Sequence, residues 1–304
     1  METKRKDVYE IVTEKIIEEM ERGIVPWHKP WLSGGALPKN FVSKKAYRGI
    51  NVWLLCLEGK LNPYWLTFRQ CQALGGKVKK GAKGTLVIFW RWLERTEEKN
   101  GKIELQRIPL LKYYHVFNCN DCVGLPKEAY PQTDQIAFEP IEKCEELIAG
   151  YKDRPEIRHE KQQAFYSPTL DYINLPRKES FESIPAYYGA AFHELTHSTG
   201  HPKRLNRSGI TDTAPFGSPL YSKEELVAEF GASFLSGLAN IDLCTLKNTA
   251  AYLQGWLQAL KNDKRLLIQA AAQAQKATDY ILGQNAKDQN EPEEVPAAEY
   301  KLEA

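Results

Sequence analysis

The chain is poor in histidine and methionine, with 6 and 2 in 304 residues, and it holds no long uninterrupted apolar run. Each shortage excludes something. A membrane-spanning helix needs about 20 predominantly apolar residues, and none is available, so no membrane partner is expected. With no basic and apolar leader at the start, a cytoplasmic protein is expected. The 6 cysteines are too sparse for a disulfide scaffold. Cys119-Asn120-Asp121-Cys122 lacks a second Cys pair and reads as two free thiols rather than a metal clamp. No internal repeat, zinc finger or recognition helix for duplex DNA is evident.

Three of the six histidines lie close together. On a helix, His193-Glu194-Leu195-Thr196-His197 puts both imidazoles on one face with Glu194 beside them. That set suits one catalytic Zn2+ per chain, with an open position for water and a carboxylate to act on it. Glu194 is therefore the expected catalytic base, taking the water proton and passing it to a leaving amine. Ser183 and Pro185 mark the start of this helix, Gly200 and Pro202 its end. Tyr187, Tyr188, Arg204 and Tyr221 are candidates for holding an oxyanion, with none preferred.

A third ligand must come from elsewhere. His201 falls short of the metzincin position, where Lys203 stands, and reads as a local hydrogen-bonding or substrate-facing residue. Ser222 to Phe234 has helix-start chemistry, an apolar stripe (Leu226, Val227, Phe230, Phe234), and Glu225 and Glu229 one turn apart on another face. Placed after a His-Glu-x-x-His helix, this pair resembles the gluzincins, in which a second helix contributes a glutamate ligand. The resemblance favours Glu225 as the ligand beside His193 and His197, with Glu229 bracing the site, and leaves the reverse assignment open. Leu170 to Pro176 alternates polar and apolar residues and predicts a short strand, either structural or an edge that binds extended peptide.

The first part of the chain differs in charge. Residues 1–127 hold 23 Lys and Arg against 13 Asp and Glu, and 128–304 hold 18 against 26, so a total of +2 hides a basic half. Six of the seven tryptophans also fall there. Interleaved rings and cations suit single-stranded nucleic acid, where a stacked base is worth roughly 1–3 kcal/mol. Trp27, Trp31, Tyr47 and Trp65 are the expected stacking rings. Lys29, Lys44, Lys45, Arg48, Arg69, Lys77, Lys79, Lys80 and Lys83 are the expected phosphate contacts. A solvated face and core tryptophans are the competing reading. Helical periodicity runs from Val8 to Arg22 and again from Trp65 to Gly75; strands are expected over Thr85–Trp92 and Leu111–Phe117, joined by a charged hairpin at Glu94–Lys102. Two further helices between Thr249 and Leu282 are expected to pack on the second domain's core.

The order of motifs resembles one family. Gly23-Ile24-Val25-Pro26-Trp27-His28-Lys29-Pro30-Trp31, Tyr47-Arg48-Gly49-Ile50-Asn51, Trp65 to Gln70, Gly75 to Gly81 and Val116-Phe117-Asn118 are similar to the single-stranded-DNA-binding domain of ArdC-type antirestriction proteins and of TraC-type plasmid primases. His193 to His201 with Glu224 to Glu229 is similar to the family's zincin-type peptidase domain. The resemblance implies an α+β chain of two domains. These are a mixed α/β single-stranded-DNA-binding domain over 1–127 and a mainly helical zincin-like metallopeptidase domain with a small sheet over 141–285. A linker at 128–140 and a disordered acidic tail at 286–304 complete the expected layout. The implied function is protection of DNA entering with a conjugative plasmid or mobile element, with a host restriction protein open as substrate or target. The alternatives are a metallopeptidase without a DNA-protection role and a single-strand-coating protein whose zinc is not catalytic.

Overall fold

The computed structural model describes residues 6–27, 37–99, 102–131, 140–211, 219–241 and 250–284. The expected tail, most of the expected linker, and Lys29 and Trp31 lie outside the described residues, as do the side chains of 91–109 and Tyr221.

Helix α1 (Val8–Glu21) starts at a capping box, in which Asp7 accepts the Glu10 N–H and Glu10 accepts the Asp7 N–H. Strand β1 (Lys39–Asn40) and helix α2 (Ile50–Cys56) follow, then β2 (Tyr64–Leu66), parallel to β1. Thr67 and Gln70 cap α3 (Phe68–Ala73) in the same way. After β3 (Lys77–Val78), strands β4 (Thr85–Lys99) and β5 (Lys102–Asn118) pair antiparallel from Thr85 and Val116 out to Lys99 and Lys102. The ladder thus runs on through most of the expected charged hairpin. The four-stranded sheet has the order β1-β2-β5-β4, and β6 (Cys122–Val123) pairs with β3.

The second half is mainly helical: α4 (Pro140–Gly150), three short strands, then α5 (Ile184–Ser198), α6 (Ser208–Thr211), α7 (Pro219–Leu238), α8 (Ala250–Asn262) and α9 (Leu266–Ile281). Strands β7 (Glu156–Arg158), β8 (Phe165–Ser167) and β9 (Tyr172–Asn174) form a sheet in the order β7-β9-β8. The strand read from Leu170 to Pro176 is therefore central, with both edges taken by neighbours, and cannot pair with a peptide. The chain is α+β with two domains.

Their cores are not separate. One cluster belongs to the second half, around Phe192, Leu195, Ile173 and Leu235. The largest cluster draws Val12, Ile16, Met20, Trp27 and Trp53 from the first half and Leu226, Phe230, Phe234, Leu260 and Leu267 from the second. Helix α8 packs on α1, not solely on the second domain, since each has an apolar stripe that the other removes from water. Polar bonds cross the same seam: Thr13 Oγ1 donates to Lys264 O at 2.8 Å, and the Gly49 N–H donates to Gln275 Oε1 at 3.0 Å.

Helices α5 and α7 make the approach that builds the site. A Cβ placed on Gly231 of α7 would stand 2.4 Å from Thr196 of α5, so only glycine lets the helices lie this close.

Candidate metal centre and nucleic-acid surface

Ser183 caps α5 by accepting the Ala186 N–H, and Pro185 lies in its first turn. Four residues apart on this helix, His193 and His197 turn their Nε2 atoms toward each other at 3.1 Å. From α7, the Glu225 carboxylate straddles the pair: Oε2 is 3.5 Å from His193 Nε2 and Oε1 is 3.5 Å from His197 Nε2. Ligand atoms at about 2.0–2.1 Å from a tetrahedral ion lie about 3.3 Å apart. The three observed separations bracket that value, and the donor set of two imidazoles and a carboxylate fits a divalent cation. Among the described residues this is the single His, Cys, Asp or Glu group with such geometry. Glu194, buried on the same helix, adds its negative charge beside His197.

The brace on this centre is Glu224, which the sequence reading did not single out. Its Oε1 accepts the His197 Nδ1–H at 3.3 Å, which fixes the tautomer and turns Nε2 toward the centre. Arg207 in turn grips Glu224 with two donors, Nε to Oε2 at 3.0 Å and Nη2 to Oε1 at 2.6 Å. The same guanidinium donates to Thr199 Oγ1 at 2.6 Å and Thr196 O at 2.9 Å, locking the end of α5. Glu224 lies next to Glu225 in sequence, and its pairing with His197 depends on how α7 is rolled against α5, which periodicity does not reveal.

Burial opposes a charge on His197, but hydrogen bonds to Glu224 and Glu225 outweigh it and hold its pKa up to about 10. Burial likewise works against an ionised Glu225, and the two imidazoles override it, holding the carboxyl well below its usual range. Glu224 is lowered too: burial is outweighed by His197 and Arg207. The cluster is thus built around compensated charges.

Glu229 stands elsewhere. Its Oε2 accepts the Trp27 Nε1–H at 2.8 Å in the seam between the halves, whereas the acid that bonds the His197 ring nitrogen Nδ1 is Glu224. Arg204 donates to Asp171, Tyr166 and Ser198 O, and Tyr188 donates to Glu145 at 2.6 Å, so both groups are engaged away from an oxyanion. Tyr187 is buried against Phe181 and Tyr188. His201 Nδ1 accepts the Lys203 N–H, a local bond.

In the first half, Trp27, Trp65 and Tyr47 are corrected as stacking rings: they are buried in hydrophobic clusters and show no face to a base. Arg48 pairs with Asp279 across the seam, with its side chain partly exposed. Lys44, Lys45, Arg69, Lys77, Lys79, Lys80 and Lys83 are exposed. Of these, Lys44 lies 3.7 Å over the Phe41 ring, and Lys79 donates to Asn120 O at 2.8 Å. Among the described residues of this half, the exposed large aromatic rings are Phe68 at 49%, Tyr113 at 44% and Trp90 at 41%. Phe68 meets Phe117 at 6.4 Å, and Gly84, next to Lys83, packs against the same Phe117 ring. The exposed Phe68 ring and the backbone next to Lys83 thus both lie against Phe117. The alternation of Tyr113, His115 and Phe117 against Tyr114 and Val116 is the sequence signal for that face. Cys119 and Cys122 are free thiols buried with Cys71, and burial pushes the first two up to about 12. No helix among the described residues is long and apolar enough to cross a membrane.

Residues 6–117 match the family model of the N-terminal domain of anti-restriction factor ArdC, and residues 142–273 match that of a zincin-like metallopeptidase. A DNA primase TraC of Escherichia coli is 37% identical over 300 residues, covering 91% of this chain but 27% of the primase. The chain thus spans about a quarter of that primase's length. Protein y4eC of Sinorhizobium fredii is 33% identical over 295 residues, covering 93% of this chain and 94% of that protein. The metal-free crystal structure of the antirestriction ArdC protein from the R388 plasmid superposes with a TM-score of 0.73 at 38% identity, covering 91% of this chain and 97% of that one. Its Mn(II)-bound form gives 0.71 at 37%, covering 91% and 98%. With both halves matched in order and near full-length relatives at this identity, the chain belongs to the ArdC antirestriction family and carries a zincin-like metallopeptidase domain.

Proposed function

We propose that this chain protects incoming DNA from restriction by holding single-stranded DNA on its basic half while a divalent-metal peptidase centre acts on a protein, a host restriction protein being the fitting target. The observation that carries the peptidase reading is the convergence of His193, His197 and Glu225 at 3.1–3.5 Å. These three residues would hold one Zn2+ per chain, although imidazole and carboxylate donors also suit Mn2+, and the related ArdC protein has a Mn(II)-bound structure. A cation bound there supplies Lewis acidity, polarising a scissile carbonyl and making an attacking water easier to deprotonate. Glu194 takes that water proton and returns it to the leaving amine. Glu224 and Arg207 hold the His197 ring in register while this happens. For the nucleic acid, Lys44, Lys45, Arg69, Lys77, Lys79, Lys80 and Lys83 track phosphates, and Phe68, Tyr113 and Trp90 replace the buried tryptophans as stacking rings.

The deciding experiment compares the full chain with Glu194→Ala, His193→Ala, His197→Ala and Glu225→Ala for bound metal, casein hydrolysis and protection of transferred DNA in a restricting host. The three ligand variants lose metal. Glu194→Ala keeps it, and loses hydrolysis. Metal retained by Glu225→Ala would remove Glu225 from the ligand set, and full protection by Glu194→Ala would separate proteolysis from antirestriction.

A further inference from the structure

Helix α7 serves two sites at once. At one level Glu224 and Glu225 face the imidazoles of α5. One turn on, Glu229 and Phe230, and two turns on, Ser233 and Phe234, face the N-terminal half. There Trp27 Nε1 donates to Glu229 Oε2 at 2.8 Å, and the indole meets Phe230 edge-on at 5.0 Å. Trp53 stacks on Phe234 at 4.8 Å and 9°, and its Nε1 donates to Ser233 Oγ at 3.4 Å. A carboxylate buried in an apolar seam must be paired, and one of its donors comes from 202 positions away.

We propose that Trp27 is a positioning residue for the metal centre: by holding Glu229 it sets the roll and height of α7, and with them the place of the Glu225 carboxylate between His193 and His197. The inference rests on the reading of Glu225 as a ligand. Glu225 and Glu229 are one helical turn apart, about 6 Å along the axis, so a displacement at one is transmitted to the other by a rigid hydrogen-bonded ladder. Metal distances tolerate about 0.2 Å, which leaves little slack for α7 to slide. The basic half therefore does more than carry DNA. It fixes the affinity of the peptidase half for its ion, and by linkage the bound ion tightens the seam.

The test is Zn2+ binding by calorimetry to the full chain and to Trp27→Phe, Glu229→Ala, the double variant and Glu229→Gln, with thermal unfolding of each metal-free protein measured separately. Trp27→Phe and Glu229→Ala should each weaken Zn2+ binding about tenfold, the lower end of what outer-sphere partners do. Because both break the Trp27–Glu229 bond, the double variant should lose less than the sum of the two single losses. Glu229→Gln keeps an acceptor for the indole and should bind close to wild type. Unchanged affinity in Trp27→Phe with a lowered unfolding temperature would reduce Trp27 to a structural role, and additive losses would show that it does not act through Glu229. Should Trp27→Phe fail to fold, the contrast between Glu229→Ala and Glu229→Gln decides, and equal affinity of the two overturns the proposal. His193→Ala is the control: if it binds Zn2+ as wild type does, the ligand reading itself falls, whatever Trp27 does.

Discussion

Replacing Gly231 by alanine should open the metal centre without touching a ligand. The new Cβ would stand 2.4 Å from Thr196 Cγ2 and Oγ1 and 2.9 Å from its Cβ. Unstrained carbon contacts lie at about 3.5–4.0 Å, so the shortfall is about 1 Å. Thr196 cannot give way by rotating, since it is fully buried and its Oγ1 donates to Phe192 O at 2.7 Å. The helices must then part by about the shortfall. Overpacking of this kind costs about 1–3 kcal/mol, offset by roughly 1 kcal/mol of helix propensity gained from glycine to alanine. A net loss of up to about 2 kcal/mol lowers Tm by up to about 8 °C. The larger effect falls on the metal. Carried from 3.5 Å by about 1 Å, the Glu225 oxygens leave the roughly 3.3 Å spacing that one ion imposes, so Zn2+ affinity should drop at least tenfold. Adding Thr196→Ala removes the two atoms at 2.4 Å, leaves the Cβ contact at 2.9 Å, and should restore part of the affinity. Wild-type Tm and wild-type Zn2+ affinity in Gly231→Ala would refute the account of helix approach.

Metal binding should depend on pH through His197. Its folded pKa of about 10 lies above the ordinary 6.5, so its contribution to the metal-free fold is complete below about 6.5 and is lost as pH rises through about 10. Glu225, lowered in the fold, contributes above about 4.5 and loses that contribution as pH falls. An ion must displace the imidazolium proton, so Zn2+ affinity should rise by up to about tenfold per pH unit below pH 10, with proton release visible as buffer-dependent heat; affinity flat from pH 6 to 9 would refute this. Glu224→Gln should weaken Zn2+ by about 10–100-fold while leaving the three ligands in place, and metal titrations check it. Replacing Lys79, Lys80 and Lys83 together should flatten the salt dependence of oligo-dT binding by about 2 log units per log unit of salt, at about 0.7 per phosphate. Phe68→Ala should weaken the same binding with the slope intact, since stacking releases no counterions.

How much of this was readable beforehand follows the physics of each signal. The His193–His197 pairing is a matter of helical repeat within one element, and the repeat is in the sequence. Glu225 is legible by resemblance and its neighbour Glu224 is not, because that a second, adjacent acid also reaches His197 depends on the roll of α7 at the contact of its Gly231 with Thr196 of α5. The tryptophans misled for a related reason. Trp27, Trp53 and Trp65 are in a basic region, and composition cannot distinguish a ring stacked on a base from a ring stacked on Phe230 or Phe234. Exposure followed the β5 alternation instead, which is a period-two signal and was available. The strand at Tyr172–Asn174 was legible as a strand, but its place between β7 and β8 was not, since pairing order is set by segments remote in sequence.

The cluster that draws on both halves has a consequence for how this piece travels between proteins. Cutting the chain between its halves would strip Trp27 and Trp53 from Phe230 and Phe234, and α1 from α8, leaving each fragment with a greasy wound facing water. Neither fragment is then an easy unit to transplant. The pair together is, because its seam is already closed before any new neighbour is attached. The match to the TraC primase has that shape: 91% of this chain, both halves in order, occupies 27% of a much longer protein. Recombination that respects the seam moves a finished object, whereas a break inside it yields two sticky remnants fit for degradation.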